Sequence, residues 1–277
     1  MENQKNTSRD QPILEALRSL RDCLAQRDIK LVFVQNASKV GLYPQYLPFP
    51  LPAEPPRLAR RLAEVLQQEP GLVFIDGEKI LSEHKDEILF YKTDLHMEQK
   101  GGWYVYGQML PLLANLTGKP EPKLVTLTGT AEKWNYGVEE RFLAKFLPMK
   151  DTNFSTQIQS HAEESDEFGT YEFKVGKSEL PDHPDLPIFN WIFTNKRASS
   201  ALLPPTMFFG TSFAASFFGL RFNELFEKVY YTHAIDIERI EPTMRHLPSD
   251  VKIFLLEHPE PFLMNLAAVL RPPSCWD

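Results

Sequence analysis

The sequence has little of several features that mark particular classes of protein. It contains only two cysteines, Cys23 and Cys275, so neither a disulfide framework nor a metal-ligand spacing can be inferred from them. Its 30 basic side chains are scattered and its net charge is -7, which argues against a groove that follows a nucleic-acid backbone. No apolar run reaches the roughly 18 residues of a membrane-spanning helix. The opening residues 1–11 are polar, unlike a signal peptide. We therefore expect a soluble chain without a nucleic-acid partner.

The length, composition and apolar pattern of the sequence predict one α/β domain. A chain of 277 residues with 43% apolar composition can bury one substantial core. Apolar residues at helical spacing in 13–24 and 58–66 are each followed by a short apolar segment, at 29–34 and 71–75. Helices that alternate with apolar strands favour a parallel sheet covered by helices on both faces. Further strands are predicted at 205–209, 228–231 and 251–256, with helices from 213 to 226 and over 262–270.

The middle of the chain is less regular. Residues from about 117 to 204 are rich in Gly, Pro and acidic residues, with weak alternation at 170–175 that is typical of antiparallel strands. We expect an irregular or small β insertion there, within a single domain that spans residues 1–277.

Ser212 is the first candidate for chemistry. It follows a predicted apolar strand and the turn residue Gly210, and it precedes a helix, so it lies at the carboxyl edge of the sheet where α/β proteins bind ligands. The backbone N–H groups of Ser212 and Phe213, at the helix start, are suited to an oxyanion hole. The competing interpretation is a simple helix N-cap, which Ser and Thr favour.

His96 and Asp94 complete a set for acyl transfer. An imidazole can take the proton of a serine hydroxyl, and a carboxylate two residues earlier can orient the ring. Two other interpretations stay open: a solvated Asp beside a surface His, or two metal ligands with His84 nearby. No third ligand stands at a recognisable spacing, so we expect neither a metal nor a cofactor.

Aromatic residues supply a candidate sugar platform. Trp134 and Tyr136 stand in a polar segment and are expected to be exposed, where they could stack on the faces of a sugar ring. Trp103 shares a helical phase with Tyr106 and Leu110, which favours core packing instead.

Four stretches together resemble the AlgJ/AlgX-like polysaccharide O-acetyltransferases, which have an SGNH-hydrolase-like fold. They are the strand at 29–34 with the segment from Ser38 to Pro48, the box from Phe90 to His96, the box from Gly210 to Phe213, and residues 226–231. The resemblance implies Ser212 as nucleophile, His96 as base and Asp94 as carboxylate. In two places the sequence departs from the family: Met97 replaces a usual Trp, and Thr211 replaces a frequent Asp.

The resemblance also implies a function. A Ser acetyl-enzyme would accept acetyl supplied by a membrane-bound O-acyltransferase and pass it to a hydroxyl of an extracellular or cell-wall polysaccharide. The protein would be extracytoplasmic, in the periplasm or at the cell surface, and anchored in its full length, although the chain shows no export signal. An acetylesterase, and a non-catalytic polysaccharide-binding assembly protein of the same fold, are the alternatives.

Overall fold

The protein was analysed as a computed structural model, which describes residues 10–50, 57–91, 95–123, 126–133, 153–159, 171–174, 189–196, 199–234 and 240–270. The helices are α1 (Asp10–Ala25), α2 (Lys39–Leu42), α3 (Leu58–Leu66), α4 (Gly77–Ser82), α5 (Gln99–Thr117), α6 (Ala214–Gly219), α7 (Glu241–Arg245) and α8 (Leu263–Val269). The strands are β1 (Lys30–Asn36), β2 (Val73–Asp76), β3 (Thr126–Lys133), β4 (Asn153–Gln159), β5 (Tyr171–Lys174), β6 (Trp191–Asn195), β7 (Thr206–Gly210), β8 (Lys228–His233) and β9 (Ile253–Pro259).

A seven-stranded sheet in the order β2-β1-β9-β7-β8-β6-β5 forms the centre of the fold. Strands β2, β1, β9, β7 and β8 are parallel, as the sequence predicts, and the predicted α/β architecture is confirmed. Strands β6 and β5 extend one edge in antiparallel orientation, so the sheet is mixed rather than wholly parallel. They come from the predicted insertion, as does a separate antiparallel pair of β3 and β4; the assignment of 117–204 as an insertion stays a prediction.

Two apolar layers cover the sheet. On one face, α4, α5 and α6 pack over residues such as Val34, Phe208 and Leu255. On the other face, α1, α3, α7 and α8 pack over residues such as Phe33 and Leu256. The central strands β7 and β9 are buried along their whole length because both of their faces are covered. Trp103 packs partly buried against the first layer, in agreement with the expected core role.

The helix predicted from 213 to 226 is shorter in the structure. It ends at Gly219, and a 3-10 turn occupies Phe222–Leu225. Between them, Arg221 adopts a left-handed φ of 54°, a conformation that cannot continue a right-handed helix. The apolar side chains of Phe217 and Phe222 still meet because both pack against Tyr106 of α5, at ring-centroid distances of 3.9 and 4.5 Å.

The first turn of α5 lies close to the segment that precedes it. A Cβ atom at Gly101 would stand 2.7 Å from the Leu89 carbonyl oxygen and 2.6 Å from Cγ of Met97. The Met97 side chain can move, but the Leu89 carbonyl accepts a 2.9 Å hydrogen bond from Glu98 N and is fixed by it. Glycine therefore permits a close approach of helix and loop.

We predict that Gly101→Ala destabilises the fold. Alanine favours a helix interior by about 1 kcal/mol over glycine, but the clash with backbone costs about 1–3 kcal/mol and forces α5 away from the loop. The free energy of unfolding in urea should fall, whereas Gln108→Ala, at an exposed position of the same helix, should change it by less than about 0.5 kcal/mol. Equal stability of the two variants would contradict this packing argument.

Candidate active site

The turn after β7 presents Ser212 at the carboxyl edge of the sheet. Gly210 ends the strand, Thr211 and Ser212 form the turn, and α6 begins at Ala214. A Cβ at Gly210 would lie 2.8 Å from the Phe208 ring and 3.2 Å from Oε2 of Glu257, so only glycine fits there. The Ala234 N–H also donates to the Gly210 carbonyl at 2.7 Å, which ties the turn to the end of β8.

A tight loop before α5 presents His96. Phe90 and Met97 face each other as an isolated antiparallel pair, and Tyr91 N donates to the His96 carbonyl at 3.2 Å. Glu98 then caps α5, and its carboxylate accepts from Lys100 N at 2.6 Å. The backbone bonds from Tyr91 N to the His96 carbonyl and from Glu98 N to the Leu89 carbonyl thus fix the main chain at and after His96, which limits the positions that the imidazole can take.

The two elements bring His96 and Ser212 into hydrogen-bond contact. His96 Nε2 lies 2.7 Å from Ser212 Oγ, although the residues are 116 positions apart in the chain. Both residues are half-buried, and the ring of Phe213 lies beside the imidazole at a centroid distance of 5.3 Å. This distance and pairing suit the transfer of the hydroxyl proton to the imidazole, which converts the serine into a nucleophile.

Backbone N–H groups next to Ser212 are placed at the start of α6. This helix has Phe213 as its N-cap with no side-chain capping bond, so the Ser212 hydroxyl is engaged by His96 instead. The Ser212 N–H makes no hydrogen bond within the described part of the chain, while Phe213 N lies 3.3 Å from Thr211 Oγ1. The oxyanion role of Ser212 and Phe213 stays a prediction.

A buried carboxylate lies directly behind the nucleophile turn. Glu257 of β9 is fully buried; its Oε2 accepts from Thr211 N at 2.7 Å and from Thr211 Oγ1 at 2.9 Å. Its Oε1 accepts from Asn36 Nδ2 at 2.9 Å. Burial raises the pKa of Glu257 from 4.5 to about 7, against the opposing effect of the hydrogen bonds from Thr211 and Asn36 and of the nearby His96.

Sequence analysis did not single out Glu257. A signal existed: Glu257 directly follows a predicted apolar strand, and Asn36 stands two residues after the first one, so both lie where parallel strands reach the ligand-binding edge. The periodicity does not show that β9 lies between β1 and β7, and this strand order is what brings Glu257 against Thr211.

Three predicted site residues, Asp94, Trp134 and Tyr136, lie outside the described residues. His84, which was weighed as a metal ligand, stacks on Tyr104 at 3.6 Å and approaches Glu87 with its Nδ1 at 3.4 Å. Among the residues that the structure describes, no group of three His, Cys, Asp or Glu side chains is arranged to hold a metal ion.

The sequence of the chain matches the model of a known protein family. The model of the SGNH hydrolase-like domain of acetyltransferase AlgX matches residues 1–167, which include the His96 box. The chain belongs to this AlgX family. No curated protein sequence matches it.

Several solved structures share the fold of this AlgX-family chain. Bacillus cereus PatB1 has 12% identity and a TM-score of 0.64, with 92% of each chain covered. The O-acetyltransferase domain of Pseudomonas putida AlgJ has 14% identity and a TM-score of 0.60, with 95% of this chain and 86% of that chain covered. Pseudomonas aeruginosa AlgX has 16% identity and a TM-score of 0.52, with 96% and 62% covered. At these identities the likeness concerns the fold.

The two residues at which the sequence is expected to depart from the family, Met97 and Thr211, are adjacent in sequence to His96 and Ser212. Met97 is buried and faces the first turn of α5, where it packs against Gly101. Thr211 gives both its N–H and its hydroxyl to Glu257. An Asp at position 211 would set a second carboxylate against the buried one, so the Thr at this position fits the presence of Glu257.

We therefore predict that Thr211→Asp lowers stability in a pH-dependent way. Each carboxylate would raise the pKa of the other, so the folded state would hold extra protons and lose stability as the pH rises through the raised values. At pH 8 the loss should be about 2 kcal/mol or more, and it should be smaller at pH 5. The free energy of unfolding in denaturant, measured at pH 8 and at pH 5, tests this prediction. Thr211→Ser, which keeps both donors, is the control; a loss that does not depend on pH would contradict the explanation.

Proposed function

We propose that the protein is an O-acetyltransferase that carries an acetyl group on Ser212 and passes it to a hydroxyl of an extracellular or cell-wall polysaccharide. The observation that supports this most directly is the 2.7 Å contact between His96 Nε2 and Ser212 Oγ, at the carboxyl edge of the sheet of an acetyltransferase-family fold. A hydroxyl held against an imidazole at such an edge is suited to covalent acyl transfer.

The first half of the reaction loads the enzyme. His96 takes the Ser212 proton as Ser212 Oγ attacks the acetyl carbonyl, and Asp94 orients the imidazole and stabilises its positive charge. The negative oxygen of the tetrahedral intermediate is stabilised by the Ser212 and Phe213 N–H groups. When the intermediate collapses, the donor leaves with the proton from His96, and acetyl-Ser212 remains.

The second half transfers the group. A sugar hydroxyl gives its proton to His96 as its oxygen attacks the acetyl carbonyl, and Ser212 leaves with that proton restored. The product is an acetylated sugar and the free enzyme. If water takes the place of the sugar, the same residues hydrolyse the acetyl-enzyme, so an acetylesterase would differ only in its acceptor.

The donor and the location form part of the proposal. We propose that a membrane-bound O-acyltransferase supplies the acetyl group and that the protein works outside the cytoplasm, in the periplasm or at the cell surface, in the synthesis of an exopolysaccharide. In the described residues, no helix combines the length and apolar character needed to cross a membrane.

An exposed aromatic surface beside the His96 loop supports a sugar acceptor. Tyr46 and Phe49 are 81% and 66% exposed, and the Tyr46 ring lies 6.2 Å from that of Tyr43. Tyr43 in turn meets Phe90 of the His96 loop edge-to-face, at a centroid distance of 6.3 Å. Exposed rings can stack on the apolar face of a pyranose. We add this pair to Trp134 and Tyr136 as candidate acceptor contacts.

We predict that Ser212→Ala abolishes turnover of a chromogenic acetyl ester. Removal of a nucleophile should lower kcat by several orders of magnitude, and His96→Ala should lower it to a similar level because the two act as a unit. Ser199→Ala, which alters a serine outside the site, is the control.

The covalent intermediate has its own readout. PatB1 has been solved with a sulfonyl adduct; we expect a sulfonyl fluoride to modify Ser212 of this chain and to leave Ser212→Ala unmodified, as detected by peptide mass spectrometry. Addition of an oligosaccharide should raise the rate of acetyl loss from the enzyme and yield an acetylated sugar. Hydrolysis without any transfer would indicate the esterase, and no Ser212-dependent turnover or labelling would indicate a binding protein.

We predict that Tyr46→Ala weakens acceptor use without impairing the loading step. Loss of one stacking contact should raise KM for a polysaccharide by about five- to tenfold, while kcat for a small acetyl ester stays the same. Leu112→Ala, an exposed apolar residue in the last part of α5, should change neither value. Equal KM values for Tyr46→Ala and wild type would remove Tyr46 from the acceptor site.

A further inference from the structure

Glu257 combines complete burial with an unusual set of partners. It lies on β9 between β1 and β7, and its two carboxylate oxygens accept three hydrogen bonds from the ends of those neighbouring strands. One of the three donors is the backbone N–H of Thr211, the residue that directly precedes Ser212. The carboxylate therefore fixes the peptide between Gly210 and Thr211, one residue before the serine.

The turn has a second support from the other side. The Tyr231 hydroxyl of β8 lies 3.2 Å from the Thr211 carbonyl and 3.4 Å from the Gly210 carbonyl, within reach to donate to either. Glu257 takes the donors of Thr211, and Tyr231 lies against its acceptor. With both polar groups of this peptide segment engaged, the direction of the Ser212 side chain depends on the two buried residues.

Glu257 also brings charge close to the base. Its carboxylate interacts electrostatically with His96 and with Tyr106 of α5, whose pKa is held well above its ordinary value by burial and by the Glu257 charge. In the described part of the chain, His96 and Tyr106 are the titratable groups that interact with this carboxylate. A negative charge in this position stabilises the imidazolium that forms when His96 takes a proton.

We propose that Glu257 is a positioning residue for acetyl transfer, which holds Ser212 in line with His96 through Thr211 and favours the protonated imidazole by its charge. This inference rests on the proposed function, in which Ser212 is the nucleophile. It adds a second carboxylate to the site beside Asp94, acting from the strand side and without contact to the substrate.

The Asn36 side chain can keep a hydrogen bond to Glu257 in both protonation states of the carboxyl group. Asn36 Oδ1 is buried and has no hydrogen-bond partner, while its Nδ2 donates to Glu257 Oε1. A rotation of the Asn36 amide by half a turn would let Oδ1 accept from a protonated Oε1. Glu257 can therefore gain a proton without loss of this contact, and what it loses is the charge beside His96.

The kinetic test uses two variants of Glu257 and one control. Glu257→Ala should lower kcat for a chromogenic acetyl ester by about 10- to 100-fold through misplacement of Ser212, with KM unchanged within about twofold. Glu257→Gln, which keeps an acceptor for Thr211, should restore part of kcat. Protonated Glu257 keeps the acceptor and lacks the charge, as Gln does, so the ratio of kcat for wild type to kcat for Glu257→Gln should rise as the pH rises through the pKa of Glu257, about 7.

Glu224→Gln is the matched control. Glu224 is also fully buried, and it pairs with Arg221 at 3.3 Å in the turn after α6. We expect wild-type kcat for this variant at every pH. A kcat for Glu257→Ala within about twofold of wild type, or a ratio of wild-type kcat to Glu257→Gln kcat that does not change with pH, would overturn the proposal.

A crystal structure of Glu257→Ala separates this proposal from the proposed function. We expect the distance between Ser212 Oγ and His96 Nε2 to lengthen from 2.7 Å to beyond about 3.5 Å. An unchanged distance would overturn the positioning role. If wild type shows no Ser212-dependent turnover, the proposed function fails, and the structure still decides whether Glu257 sets the serine. If Glu257→Ala does not fold, the same distance is measured in Glu257→Leu, which also removes the acceptor of Thr211 but fills the buried space, and there it must lengthen.

Discussion

The carboxyl ends of three adjacent parallel strands meet at one buried carboxylate, and the geometry of the site depends on this meeting. Glu257 lies two residues before the end of β9, Asn36 ends β1, and Thr211 follows β7. An ionised carboxylate without partners in such a place would cost several kcal/mol. Three hydrogen-bond donors offset this cost, and the same hydrogen bonds connect the ends of the three strands to one another. The hydrogen bonds that stabilise the buried carboxylate therefore also limit the direction of the Ser212 side chain.

The two apolar layers explain why the polar residues gather at this edge. Strands β7 and β9 are covered on both faces, so side chains in their middles must be apolar whichever way they project. Only the last positions can be polar. Along β9, Leu255 faces the layer of α5 and α6, and Glu257, two residues further, projects to the same side, beneath the nucleophile turn. Alternation thus assigns Glu257 to the active-site face and His258, which is also buried, to the other.

The sequence predicts the strands well and the site in part. Continuous apolar runs identify β1, β2, β7, β8 and β9; in the central strands β7 and β9, burial on both faces requires such a composition. Ser212 can be placed from the order of strand, turn and helix. The contact of Ser212 with His96 cannot be derived from spacing over 116 positions; resemblance to a family suggested it, and the hairpin-like loop of Phe90 and Met97 creates it. The contacts of Glu257 could not be predicted without the strand order. The end of the helix before Arg221 could not be predicted either, because it depends on a left-handed backbone conformation that hydrophobic periodicity does not reveal.

The choice between sugar and water as acceptor must come from outside the pair of Ser212 and His96, since both acceptors use that pair in the same way. The two residues are half-buried, so burial alone does not keep water from an acetylated Ser212. An acceptor hydroxyl held in a reactive alignment can reach an effective molarity on the order of 10⁵ M or more, far above the concentration of water in water. In the proposed mechanism, transfer to the sugar is therefore faster than hydrolysis because the sugar hydroxyl is aligned, and not because water is excluded. The surfaces that would align it, such as Tyr46 and Phe49, must then be fixed relative to His96, and the contact of Tyr43 with Phe90 supplies that connection.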